Sequence, residues 1–173
     1  VAEIDLTACR FVGVPRYEDV DPDGQQFRLL SDFGFQWRRH LIVSPSRSNT
    51  DGLSVPRPAR WYLAPFRSPL RRAALPHDTG YAGVAVVVDL AASRMSAELA
   101  MEAWRVSTAR THMVFVEGAA LSRKWWDQCF LAAMCVCRRE SMRKPRRGQI
   151  RMAYANVRLT GGVAWRRHRR KGG

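Results

Sequence analysis

Of the four histidines in the chain, His40, His77, His112 and His168, one is followed directly by an acid: His77, in the stretch "ALPHDTGYAG". His77, Asp78 and Tyr81 stand at i, i+1 and i+4. On a helix the histidine and tyrosine then share a face, while the aspartate projects about 100° away. An imidazole with an ordinary pKa of about 6.5 accepts a proton from water at neutral pH, and a carboxylate on its other nitrogen fixes the tautomer and supports the cation. The same residues also have a plainer use. Asp78 in the first turn after Pro76 stabilises the positive end of a helix, with His77 half-buried beside it.

The elements that must position these groups are legible in part. Phe27, Leu29, Phe33, Phe35, Trp37, Leu41 and Val43 alternate with polar residues, the period-2 pattern of a strand pair, so a hairpin is expected. Residues 1–24, with the acidic "PRYEDVDPDG", read as an extended arm and loop. "SPLRRAAL" reads as a helix with Ser68 as N-cap and Pro69 in its first position, which Pro76 then kinks or ends. "VAVVVDL" suits a short buried strand or a loop, and "THMVFVEG" a further strand. "SRMSAELAMEAWRVST" reads as a helix with Met95, Leu99, Ala103 and Val106 on one side. In "SRKWWDQCFLAAMCVCRRESM", stepping about 100° per residue gathers Trp125, Trp126, Cys129, Phe130, Ala133 and Cys137 on one apolar arc and leaves Asp127 on its flank. "QIRMAYANVRL" predicts a last helix that stops before Gly161 and Gly162. The expected fold is α+β, a small antiparallel hairpin or sheet packed on three to five helices, with residues 1–165 as one domain and 166–173 as a frayed basic tail.

Charge is concentrated at one end. Residues 138–173 hold thirteen Lys and Arg against one acid, Glu140. Such a block attracts phosphate, whether in DNA or in an anionic lipid surface, and Arg146, Arg147, Arg166, Arg167, Arg169, Arg170 and Lys171 are the candidate contacts; a merely solubilising tail is the other reading. No apolar run is long enough for a transmembrane segment. The start "VAEIDLTACR" shows no secretory signal. Cys9, Cys129, Cys135 and Cys137 lack the spacing of a zinc knuckle and read as buried reduced thiols, which favours a reducing cytoplasm as the place of synthesis.

Three separated motifs, "NTDGLSVPRPARWYL", "LRRAALPHDTGY" and "KWWDQCFLAAM", are followed by "AYANVRLTGGVAW". In this order they resemble a family of uncharacterised bacteriophage proteins with a TDG-x-S-x-P-R loop, an HD-x-x-Y helix and a D-x-x-F helix. The resemblance spans roughly residues 26–165, with Pro76 in place of an aliphatic residue and a longer insert at 83–120. It implies a phage protein made in the host cytoplasm and carried in the virion, with other virion proteins as partners. HD-x-x-Y with a later D-x-x-F is also similar to the core of calcium-dependent phospholipase A2 enzymes. That resemblance implies His77 as general base, Asp127 as the acid that orients it, Tyr81 within the hydrogen-bond network, and Asp78 as a ligand of calcium, the implied cofactor. Calcium takes six to eight oxygens, so Asp51 and carbonyls of the "NTDGLSVP" loop are the further candidates. Those phospholipases use a Gly-x-Gly loop, whereas this one has a single glycine.

Ser54 offers a rival nucleophile with His77 and Asp127, though no Gly-x-Ser-x-Gly elbow surrounds it. The leading expectation is therefore a phospholipase-like hydrolase of lipid or envelope esters. The alternative is a non-enzymatic virion or tail component whose basic C-terminal region contacts DNA or neighbouring subunits.

Overall fold

The computed structural model describes residues 6–20, 26–50, 70–117, 121–142 and 144–171, leaving aside the side chains of 107, 163, 164 and 167–171. In chain order the strands are β1 (Cys9–Val12), β2 (Tyr17–Asp19), β3 (Phe27–Leu29), β4 (Phe33–Trp37), β5 (His40–Ser44), β6 (Asn49–Thr50), β7 (Val86–Asp89) and β8 (Phe115–Val116). The α-helices are α1 (Arg71–Tyr81), α2 (Leu90–Ser93), α3 (Ala97–Arg105), α4 (Arg123–Glu140) and α5 (Arg147–Lys171). The fold is α+β, with one antiparallel sheet ordered β1-β4-β5-β7-β8 and a smaller one ordered β2-β3-β6.

The hairpin expected from the alternating apolar residues is β4–β5, with Phe35 opposite Ile42 and Trp37 opposite His40. Its reversal uses Arg38 at φ 56°, the left-handed backbone that tight hairpin turns need. Within the stretch expected as an extended arm, Cys9–Val12 and Tyr17–Asp19 are strands. β1 pairs with β4 and β2 with β3, so the arm closes one edge of each sheet. Turn residues between them outweigh two short strands in any local reading.

The larger sheet is covered on both faces. Cys9, Phe35, Trp37, Ile42 and Val87 pack with α1 and α4, whereas Val12, Leu41, Val43 and Val88 pack with Ala97, Ala100 and Met101 of α3. Two-sided burial explains why "LIV" and "VVV" are continuous apolar runs. It also corrects the face expected of α3. Leu99 and Val106 are exposed, and the small residues Ala97 and Ala100 lie against the sheet with Met101, beside Gly34. A Cβ on Gly34 would stand 3.2 Å from the Met101 sulfur, so the close approach selects small residues there.

Helix α1 runs through Pro76 without ending, and Leu70 stands as its N-cap; Ser68 and Pro69, the expected cap and first position, lie outside the described residues. Proline in a helix interior forfeits one hydrogen bond and costs about 3 kcal/mol. Burial offsets that cost, because Ala73, Ala74, Leu75, Pro76, His77, Thr79, Gly80 and Tyr81 are all buried. One side meets the sheet, where Ser44 Oγ and Thr79 Oγ1 lie 2.9 Å apart. Another meets α4, where a Cβ on Gly80 would overlap the Trp126 indole. Gly80→Ala is accordingly expected to destabilise the protein by about 1–3 kcal/mol through overpacking, read as a lower urea midpoint with an unchanged slope.

Helix α5 overturns the expected stop at Gly161 and Gly162. It continues through both glycines to Lys171, so the segment read as a frayed tail is helical. The glycines serve packing: a Cβ on Gly161 would lie 2.9 Å from Tyr81 Oη, and one on Gly162 2.6 Å from an Arg123 terminal nitrogen.

Candidate functional site

Three helices meet at Asp127. The carboxylate is fully buried, deeper than the flanking position its helical angle suggests. Tyr81 of α1 donates its hydroxyl to Oδ1 at 2.5 Å, and Arg158 of α5 donates to Oδ2 at 2.7 Å. Arg123, one turn before Asp127 on α4, places Nε 3.5 Å from Oδ2. A guanidinium group of Arg123 also donates to the Arg158 carbonyl, tying α4 to α5 a second time.

His77 stands between two carboxylates. Its Nδ1 is 3.2 Å from Asp78 Oδ1, and its Nε2 is 3.7 Å from Asp127 Oδ1, just beyond hydrogen-bond length. The ring lies between Tyr81 and Phe130, with centroids 4.1 and 4.8 Å away. Asp78 is a part-exposed acid whose Oδ2 accepts from the Thr50 hydroxyl at 2.5 Å.

The electrostatics follow from this packing. Burial pushes the His77 imidazolium toward deprotonation, but the Asp127 and Asp78 carboxylates outweigh it and hold the His77 pKa above its ordinary 6.5. For Asp127, burial favours the neutral acid, while His77, Tyr81 and Arg158 together hold the carboxyl below its ordinary 3.8. Burial and the neighbouring Asp127 charge push the Tyr81 phenol well up, so it stays a donor at neutral pH. The arrangement positions an imidazole between two carboxylates, Asp78 bonded at Nδ1 and Asp127 facing Nε2, so that a proton on the ring is supported from either side.

The structure thus brings together His77, Asp78, Tyr81 and Asp127. Asp51 and Ser54 lie outside the described residues; Asp51 directly follows Thr50, which is anchored on Asp78. Among the described residues, no group of three or more His, Cys, Asp or Glu is placed to hold a metal ion. Of the basic candidates, Arg146, Arg147 and Arg166 are exposed, and Arg167, Arg169, Arg170 and Lys171 belong to the backbone of α5. No described helix is long and apolar enough to cross a membrane. The four cysteines are free thiols, and burial raises those of Cys129, Cys135 and Cys137.

Sequence reasoning missed three contacts. Arg123 was legible as the i−4 partner of Asp127. Thr50 and Arg158 were not, being distant in sequence from Asp78 and Asp127; the adjacent glycines of α5 were the available sign that another helix surface comes close.

A family model described as "Protein of unknown function (DUF1353)" matches residues 27–148. The match includes His77, Asp78, Tyr81, Arg123 and Asp127, and ends before Arg158 and the closing "AYANVRLTGGVAW". No curated protein and no solved structure matches the chain.

Proposed function

The chain belongs to the DUF1353 family of proteins of unknown function, and from that membership and the site's geometry we propose a bacteriophage-encoded, phospholipase-like ester hydrolase acting on lipid or cell envelope. One observation carries the reading. The Asp127 carboxylate faces His77 Nε2 at 3.7 Å and is itself fixed by Tyr81 and Arg158, so that once Asp78 turns away from Nδ1 a closer approach to Asp127 would hold a proton on Nε2 and leave the lone pair on Nδ1.

Neutral His77 takes a proton from water at Nδ1 as the water oxygen bonds to the ester carbonyl carbon. The resulting imidazolium is supported by Asp127. As the tetrahedral intermediate collapses, the carbon–oxygen bond to the alcohol breaks and the proton passes from Nδ1 to the departing alkoxide, releasing acid and alcohol. The water must take the place now held by Asp78 Oδ1, so Asp78 is the group that has to turn away. Asp78, a part-exposed carboxylate, is one hard oxygen donor of the kind calcium takes. The ion, held by Asp78 and Asp51 with loop carbonyls, would supply positive charge for the developing oxyanion.

Calorimetry with calcium on wild type and Asp78→Asn tests the metal. Heat in the wild type and none in the variant is expected; no heat in either leaves Asp78 as the anchor of Thr50 and His77. Hydrolysis of phospholipid tests the reaction. Because the base must be neutral and its pKa is raised, the rate should climb with pH along a limb centred above 6.5. A pH-independent rate, or none, rejects His77 as base.

The burial of His77, 7% exposed, favours one second reading: a non-enzymatic virion or tail component in which the ring locks α1 to α4. In either case we propose synthesis in the host cytoplasm, a place in the particle and other virion proteins as partners.

A further inference from the structure

Helix α5 carries eight Lys and Arg and no Asp or Glu over its 25 residues. Its inward side is formed by Ile150, Ala153, Val157 and Gly161, which are buried or half-buried. Its outward side has an unusual composition for a helix next to water. Met152 is 41% exposed and Leu159 85% exposed. They lie seven residues apart, so they fall within about 20° of one another on the helix. Each follows an exposed arginine, Arg151 and Arg158, and Arg147 lies one turn before Arg151. Seven residues beyond Leu159 comes exposed Arg166, next to Trp165, whose ring meets Tyr81 at 5.2 Å. Arg158 and Trp165 turn inward, to Asp127 and Tyr81, and the outer surface presents Met152 and Leu159 with the exposed cations Arg147, Arg151 and Arg166 around them.

We propose that this surface of α5 seats the protein on an anionic lipid bilayer, with Arg147 and Arg151 at the phosphate level and Met152 and Leu159 reaching the acyl boundary. Arginines alone would serve nucleic acid as well. Exposed Leu and Met among them favour lipid, because a phosphate backbone offers nothing apolar for them to bury, whereas a bilayer interface rewards both kinds of side chain. The neighbouring helices do not cancel the charge: on α1 and α4, Asp127 is buried, Asp78 is bonded to Thr50, and Glu140 is bridged to Arg72. The same helix sends Arg158 to Asp127, so the bound surface and the His77 site share an element. In its purpose the proposal rests on the lipid-ester reading; its binding test does not.

Co-sedimentation of the full chain with phosphatidylcholine vesicles, with and without phosphatidylglycerol, decides it. Binding should require the anionic lipid. It should weaken about tenfold or more in Met152→Ser/Leu159→Ser, whose charge is unchanged, and about fivefold per charge in Arg147→Gln and Arg151→Gln. Circular dichroism and thermal melting confirm that these surface variants fold. Equal binding by the Met152→Ser/Leu159→Ser variant, or no preference for anionic vesicles, overturns the proposal. So does duplex DNA that binds as tightly as the vesicles and competes with them. If the protein hydrolyses no lipid yet binds as expected, the surface stands and the hydrolase reading falls. If the variant loses vesicles but still cleaves a dispersed short-chain ester, both stand.

Discussion

Asp127→Asn should cost about 3 kcal/mol of folding stability, or roughly 6–12 °C in Tm for a chain of this size. The substitution keeps the side chain's shape and removes the buried negative charge that faces His77, Arg123 and Arg158. It also breaks the hydrogen-bond pattern. Both carboxylate oxygens now accept, one from Tyr81 and the other from Arg158, whereas an amide has one oxygen and must turn an NH2 group toward one of these donors. The loss is set at the lower end for a buried pair because the Arg158 side chain is 42% exposed and water recovers part of its charge. Urea and thermal unfolding measure it; a loss below about 1 kcal/mol would mean that the three helices hold together without the carboxylate.

The same variant should flatten the pH dependence of stability. Asp127 has a depressed folded pKa, so its contribution is complete above the ordinary 3.8 and is lost as pH falls through the lower folded value. His77 has a raised folded pKa, so its contribution is complete below the ordinary 6.5 and is lost as pH rises through the higher folded value. The pair therefore stabilises the wild type most between 3.8 and 6.5. Unfolding curves run from below 3.8 to above 6.5 should show the acid slope lost in Asp127→Asn and the alkaline slope reduced, since Asp78 still faces His77.

The second large effect is kinetic. His77→Gln should lower phospholipid hydrolysis by about 10²–10⁴-fold, carried by kcat with little change in KM, since the lost group moves a proton rather than binding substrate. A histidine that only braces α1 against α4 behaves differently. Its replacement costs about 1–3 kcal/mol of stability through a poorly satisfied Asp127 and leaves any activity per folded molecule intact. Measuring rate against the folded fraction of the same sample separates the two. An unchanged rate removes His77 from the chemistry.

The grouping of His77, Tyr81 and Asp127 was legible in part because it obeys short-range rules. The i, i+4 spacing of His77 and Tyr81 gives their common face, and the apolar arc of α4 fixes the side from which Asp127 approaches. The β4–β5 hairpin was legible from its alternation. The remainder depends on contacts between distant segments. Gly161 and Gly162 have the local signature of a helix end, yet each is where a neighbouring side chain, Tyr81 or Arg123, needs the volume a Cβ would fill. Pro76 likewise reads as a break until the burial around it is known. On α3 Leu99 faces water because the sheet beside Gly34 admits only smaller neighbours or the slender Met101.

The two anchors of the segment between β5 and α1 bear on how such a site diversifies. Ser44 is tied to Thr79, and Thr50 to Asp78, so both ends of residues 51–69 are held by contacts that do not depend on what lies between them. Closing a longer loop between fixed ends costs only about 0.6 kcal/mol per doubling of its length. Descendants of this chain can therefore lengthen, shorten or rewrite that segment at small thermodynamic penalty while His77 and Asp127 stay in register. If His77 and Asp127 handle protons as proposed, selection for new substrates would act on one stretch of sequence and leave that pair to drift slowly.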